Sequence, residues 1–137
     1  MSARSFFDSN VLAYTDDHGS PGKQATAKEL LAKHSEHHRG VLSTQVLQEY
    51  FVTIVRKYGV PAEIARSKVE LFACFDLVLI GLEDILAAID LHRLHQFSLW
   101  DALIVRCALR SRCSVLYSED LQAGRRIDGL EIVNPFA

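Results

Sequence analysis

Ser5-Phe6-Phe7-Asp8-Ser9-Asn10-Val11-Leu12 carries the pattern that decides the fold. Ser5–Phe7 is short and apolar and reads as a strand running into a turn at Asp8-Ser9-Asn10. The same pattern recurs downstream. Val41-Leu42-Ser43 is a second short strand, Leu77–Leu82 a buried one, and Ser114–Tyr117 a strand followed by Ser118-Glu119-Asp120. Leu130–Val133 is the last strand, stopped by Asn134-Pro135. Helical patterns separate them. From Lys23 to about His38, Ala27, Leu30, Leu31 and His34 keep helical spacing, and Gly40 ends the segment. Val46, Leu47, Tyr50, Phe51, Ile54, Val55 and Tyr58 form one wide apolar face, closed by Gly59. Pro61 opens a helix running to about Cys74, Glu83–His95 is helical, and Ser98 starts a helix that is apolar on most sides as far as Leu109. Strands alternating with helices imply parallel strands covered on both faces. The expected fold is α/β, a three-layer α/β/α domain around a central parallel sheet of four to five strands.

The 137 residues suit a single domain spanning 1–137, and an apolar fraction of 49% can fill its core without disulfides. No apolar run approaches the ~20 residues a bilayer requires, and Asp8 interrupts the N-terminal apolar stretch before it makes a signal sequence. A cytoplasmic location without membrane association is expected. Cys74, Cys107 and Cys113 are odd in number, and Cys74 and Cys107, inside apolar helical pattern, read as small buried hydrophobes. A net charge of −2 argues against a protein that coats nucleic acid. It leaves room for a local basic rim, for which Arg106, Arg110, Arg112, Arg125 and Arg126 are the candidates.

In open α/β sheets, ligands bind at the carboxyl ends of the strands. Asp8 and Asp120 each follow a strand and so share that edge. With Glu49 and Asp101 they make a carboxylate set drawn from separate segments. Such a set suits a hard cation, which takes carboxylate, water and phosphate oxygens, and paired metal ions support phosphodiester hydrolysis. Each acid also has a plainer role. Asp8 can cap the turn or helix that follows it. Glu49 can be a surface residue. Ser98-x-x-Asp101 has the form of a capping box, and Asp120 can cap a short turn. Spacing alone does not choose between these roles.

The motifs resemble those of the PIN-domain family. Phe7-Asp8-Ser9-Asn10-Val11-Leu12 is similar to its opening motif, and Ser43 to Glu49 to its second, which supplies a glutamate early in a helix. Ser98-Leu99-Trp100-Asp101-Ala102-Leu103-Ile104 is similar to the third, and Ser118-Glu119-Asp120-Leu121 to the fourth. Ile127 to Phe136 resembles the end of VapC-type toxins. The resemblance implies a divalent-metal-dependent endoribonuclease using Mg²⁺, with Mn²⁺ able to substitute. Asp8, Glu49, Asp101 and Asp120 would be the catalytic, metal-binding carboxylates, oriented by Asn10 and Ser118. It further implies an RNA substrate, a small cognate antitoxin protein and a homodimer. An RNA-processing nuclease outside a toxin–antitoxin pair and a non-catalytic binding module are the alternatives. Glu119 competes with Asp120 for the fourth position, and alternation along an extended turn sends the two to opposite sides.

Histidines cluster at His34, His37 and His38, and at His92 and His95. No cysteine joins them at zinc-site spacing, and both groups lie near helix C-termini, where histidine suits the dipole. No glycine-rich phosphate loop is present.

Overall fold

A computed structural model of the chain describes residues 3–137. The first strand, β1 (Ser5–Phe7), is wholly buried. Asp8 then leaves the strand in extended geometry, and its carboxylate accepts the Ser9 N–H, capping α1 (Ser9–Tyr14). Pro21 opens α2 (Pro21–Glu36), a position that needs no N–H. Gly40 starts β2 (Gly40–Ser43) beneath the ring of Phe75. A Cβ there would stand 2.5 Å from that ring, so only glycine fits without displacing it. The Ser43 hydroxyl accepts the Val46 N–H at 3.3 Å and caps α3 (Thr44–Arg56). There follow α4 (Ala62–Phe72), β3 (Asp76–Val78) and α5 (Leu82–His95). After these come α6 (Leu99–Arg110), β4 (Val115–Tyr117), β5 (Arg126–Ile127) and β6 (Leu130–Val133).

The strands form one sheet in the order β3-β2-β1-β4-β6-β5. All neighbours are parallel except β5, which runs antiparallel to β6. The α/β expectation is met, with a sixth, antiparallel strand added at the edge. Asp128 and Gly129 both have positive φ, 48° and 87°, which is the two-residue turn that joins a tight hairpin. The chain progresses outward from β1 to β2 and β3, then returns to place β4 on the other side of β1. This reversal opens a crevice at the carboxyl ends of β1 and β4. Phe6 pairs with Val41 on one side and Leu116 on the other, at the centre of the core.

Three expectations need correction. The strand read over Leu77–Leu82 is only Asp76–Val78 and lies at an edge, with Leu79 and Leu82 exposed. An edge strand has one pairing partner, so its apolar run is not evidence of burial. Cys74 is exposed beyond the end of α4, although Cys107 and Cys113 are buried. The turn at Asp8-Ser9-Asn10 continues as a helix. No helix among the described residues is long and apolar enough to cross a membrane.

Candidate active site

The crevice between β1 and β4 opens into a cleft of about 460 Å³ lined by Asp8, Glu49, Asp101 and Asp120, with Ser9, Gln48, Val52, Thr53 and Ile104. Four elements deliver the acids. Asp8 ends β1, Glu49 lies in the second turn of α3, Asp101 in the first turn of α6, and Asp120 in the turn after β4. Asp8 is the most buried of them. Its Oδ1 accepts the Ser9 N–H at 2.7 Å and its Oδ2 the Ser118 hydroxyl at 2.8 Å. Burial pushes its carboxyl up to about 6; the Ser118 and Ser9 donors oppose this, while the Glu49 and Asp120 charges add to it.

Asn10 and Ser118 tie the two strand ends together. The Asn10 amide nitrogen donates to Asp120 Oδ2 at 3.2 Å, and its carbonyl oxygen accepts the Glu119 N–H at 3.2 Å. Ser118 Oγ accepts the N–H groups of Asp120 and Leu121. The turn after β4 is thereby held against the start of α1. Glu119 points away from the cleft. It accepts the Tyr14 hydroxyl at 2.5 Å and the Lys23 ammonium at 2.6 Å. Burial pushes its carboxyl up, but Lys23 and Tyr14 outweigh that and hold it below the usual range. Asp120 is therefore the acid of this turn that faces the cleft.

Asp101 makes half a capping box. Its N–H donates to the Ser98 hydroxyl at 3.1 Å, which caps α6, while its own carboxylate lines the cleft. Burial pushes that carboxyl up; the Ser98 hydroxyl opposes and the Asp120 charge reinforces. Gln45, which sequence reasoning passed over, is buried and donates through Nε2 to Glu49 Oε2 at 3.3 Å and to the Trp100 carbonyl at 3.1 Å. It joins α3 to α6. Its place four residues before Glu49 on the same helix was the available signal.

The arginines named as candidates for a basic rim do not line the cleft. Arg106 and Arg110 bind the buried Asp84 at 3.1 and 2.8 Å. Arg125 lies over the Phe97 ring and donates to the His95 carbonyl, and Arg126 pairs with Glu131. Arg112 is not among the residues lining the cleft. His34 packs against Phe7.

The side-chain oxygens facing the cleft are mainly carboxylates, the ligands hard divalent cations prefer. No three His, Cys, Asp or Glu side chains among the described residues gather tightly enough to cage an ion unaided. A cation held among such carboxylates would need water or phosphate oxygens to complete its shell.

The family model of the PIN domain matches residues 5–129. The chain belongs to the PIN-domain family. Solved structures with a similar fold include the Mycobacterium tuberculosis toxin VapC20, described as cleaving the sarcin–ricin loop. That match has a TM-score of 0.69 at 21% identity, covering 85% of this chain and 91% of that one. A toxin–antitoxin complex from Klebsiella pneumoniae matches with TM-score 0.69 at 21% identity, over 96% and 97%. DNA-bound VapBC from Salmonella typhimurium matches with TM-score 0.66 at 18% identity, over 96% and 97%. No curated protein matches significantly. At these identities the likeness of the neighbours to this PIN domain is one of fold alone.

Proposed function

We propose that this PIN domain is a divalent-metal-dependent endoribonuclease and the toxin of a toxin–antitoxin pair. The observation that carries the nuclease reading is the meeting of Asp8, Glu49, Asp101 and Asp120, from four separate elements, in one cleft at the sheet's carboxyl edge. These residues would hold Mg²⁺ or Mn²⁺. When bound, the ion supplies positive charge that activates water and steadies the phosphate's developing charge. The protein's own part is positioning. Ser118 and the Ser9 N–H fix Asp8, Asn10 fixes Asp120, and Gln45 fixes Glu49. Ligating carboxylates need such partners to keep their geometry. Neither histidine nor lysine lines the cleft, and a side-chain base is not required where a bound metal would lower the pKa of water.

The toxin reading is supported by the fold neighbours, several of which are toxins or toxin–antitoxin complexes. An apolar groove of about 620 Å³ between α3 and α4, walled by Leu47, Phe51, Val52 and Val69, adjoins the cleft through Gln48 and Val52. A small antitoxin seated there would cover the acids. The exposed Leu82, Leu86 and Ile89 of α5 suit a second copy of the chain.

The test is cleavage of single-stranded RNA by purified protein with Mg²⁺, with Mn²⁺ and with EDTA, paired with induced expression in bacteria lacking a partner. Metal-dependent cleavage with growth arrest is expected. Folded protein that cuts no RNA with either metal overturns the enzyme reading. Cleavage without growth arrest points to an RNA-processing nuclease instead.

A further inference from the structure

Trp100 is 63% exposed, although it stands in the chain beside Asp101 and in the first turn of a helix that is otherwise largely buried. A single exposed aromatic is common on protein surfaces, so its surroundings decide its meaning. It forms one wall of a separate hollow of about 360 Å³ between α3 and α6, with Thr44, Gln45, Gln48, Ile85 and Leu99 among the other lining residues. That volume lies within the range of small-molecule sites. Gln48 lines both this hollow and the acidic cleft, so the two are adjacent. The polar groups of the hollow are amides and a hydroxyl, with no charged side chain. Gln45 is 6% exposed, and its Oε1 has no hydrogen-bond partner while its Nε2 is held by Glu49 and the Trp100 carbonyl. A flat exposed indole beside uncharged amides matches an unpaired nucleobase, which offers a π-face and a hydrogen-bonding edge.

We infer that this hollow is a nucleobase subsite, in which one unpaired base of a single-stranded RNA stacks on Trp100 with Gln48 at its edge. The inference rests on the nuclease reading for its ligand class, and it assigns Trp100 to substrate positioning. The strand would then run from the indole into the acidic cleft, past Gln48. Gln45 links the two parts, because one amide nitrogen bonds both the Glu49 carboxylate and the backbone of Trp100.

Trp100 is the single tryptophan of the chain, so fluorescence excited selectively over the tyrosines reports on this hollow alone. The probe is a single-stranded oligoribonucleotide of mixed sequence, titrated into full-length Asp101→Asn protein and compared with the same RNA as a duplex. Quenching by the single strand and not by the duplex is expected. In the otherwise wild-type enzyme, Trp100→Ala should raise KM for that RNA about 10-fold, with kcat within about threefold, and Trp100→Phe should recover most of the loss, as stacking predicts. Circular dichroism melts confirm that both variants fold. Unchanged fluorescence with RNA, or an unchanged KM in Trp100→Ala, overturns the subsite. Fluorescence that shifts with protein concentration alone overturns it in favour of a self-association surface. If folded wild-type protein cuts no RNA with Mg²⁺ or Mn²⁺, the nuclease reading fails separately, whatever the fluorescence shows.

Discussion

The Ser118 hydroxyl donates to Asp8 Oδ2 at 2.8 Å and, through the same oxygen, accepts the N–H groups of Asp120 and Leu121. One buried hydroxyl thus couples the acid after β1 to the turn that carries the acid after β4.

Ser118→Ala removes that coupling. Asp8 loses a donor to a buried carboxylate, a change worth about 1.5–3 kcal/mol, and two backbone N–H groups lose their acceptor. A lowered melting temperature and weaker RNA cleavage are expected. Ser118→Thr, which keeps the hydroxyl, should recover part of both. Wild-type cleavage by Ser118→Ala at saturating Mg²⁺ would remove Ser118 from any role in orienting the acids.

The Asp8 contribution to the stability of metal-free protein should fall as pH rises. The folded-state pKa of Asp8, about 6, stands above its ordinary 3.8, so the native state binds the proton more tightly than the unfolded chain. The stability from the neutral carboxyl is fully present below about pH 4 and lost as pH rises through about 6. The difference corresponds to about 3 kcal/mol. Asp8→Asn should flatten this dependence in EDTA and melt higher than wild type at pH 7. Parallel melting curves for the two proteins from pH 4 to 7 would contradict the buried charge.

Asp101→Asn separates capping from catalysis. The cap itself uses the Asp101 N–H and the Ser98 hydroxyl, which the substitution leaves in place. Loss of the charge near the helix start costs about 0.3–1 kcal/mol, offset by relief of the repulsion from Asp120. Near-normal metal-free stability with cleavage lower by orders of magnitude is the expected result. Cleavage within a few-fold of wild type would leave Asp101 as a helix-start residue only.

Glu119 and Asp120 should behave oppositely. Glu119→Gln weakens a clasp with Lys23 and Tyr14 outside the cleft, so cleavage should stay within a few-fold of wild type. Asp120→Asn removes a carboxylate from the cleft, and its cleavage should fall at least tenfold below that of Glu119→Gln. The reverse ranking in a kinetic assay would reassign the fourth acid.

The sheet edge and the sequence positions of its acids were legible because strand, turn and acid lie together in the chain at Phe7-Asp8 and again at Tyr117-Ser118-Glu119-Asp120. What the sequence concealed depends on distant partners. Ser9–Tyr14 is too short for helical periodicity to register, and only the cap at Asp8 announces it. Leu77–Leu82 is apolar, yet pairing stops at Val78, opposite Ser43 where β2 itself ends. The two-residue strand Arg126–Ile127 escaped notice, though Asp128-Gly129 is the dipeptide such a hairpin turn favours. Clustering of arginines in the last third suggested a rim. Their partners, Asp84, Phe97 and Glu131, could be known only from the fold.

Those arginine contacts also bear on how the proposed nuclease would meet RNA. Arg106, Arg110, Arg125 and Arg126 are engaged within the fold and are absent from the cleft lining. These four would neutralise few phosphates of a strand lying in the cleft and release few counterions there, so their share of the salt dependence should be shallow. Long nucleic acid would gain little hold by length alone. Residence on an RNA would depend on the shape and chemistry of the few nucleotides that enter, and an abundant transcript lacking them would be let go.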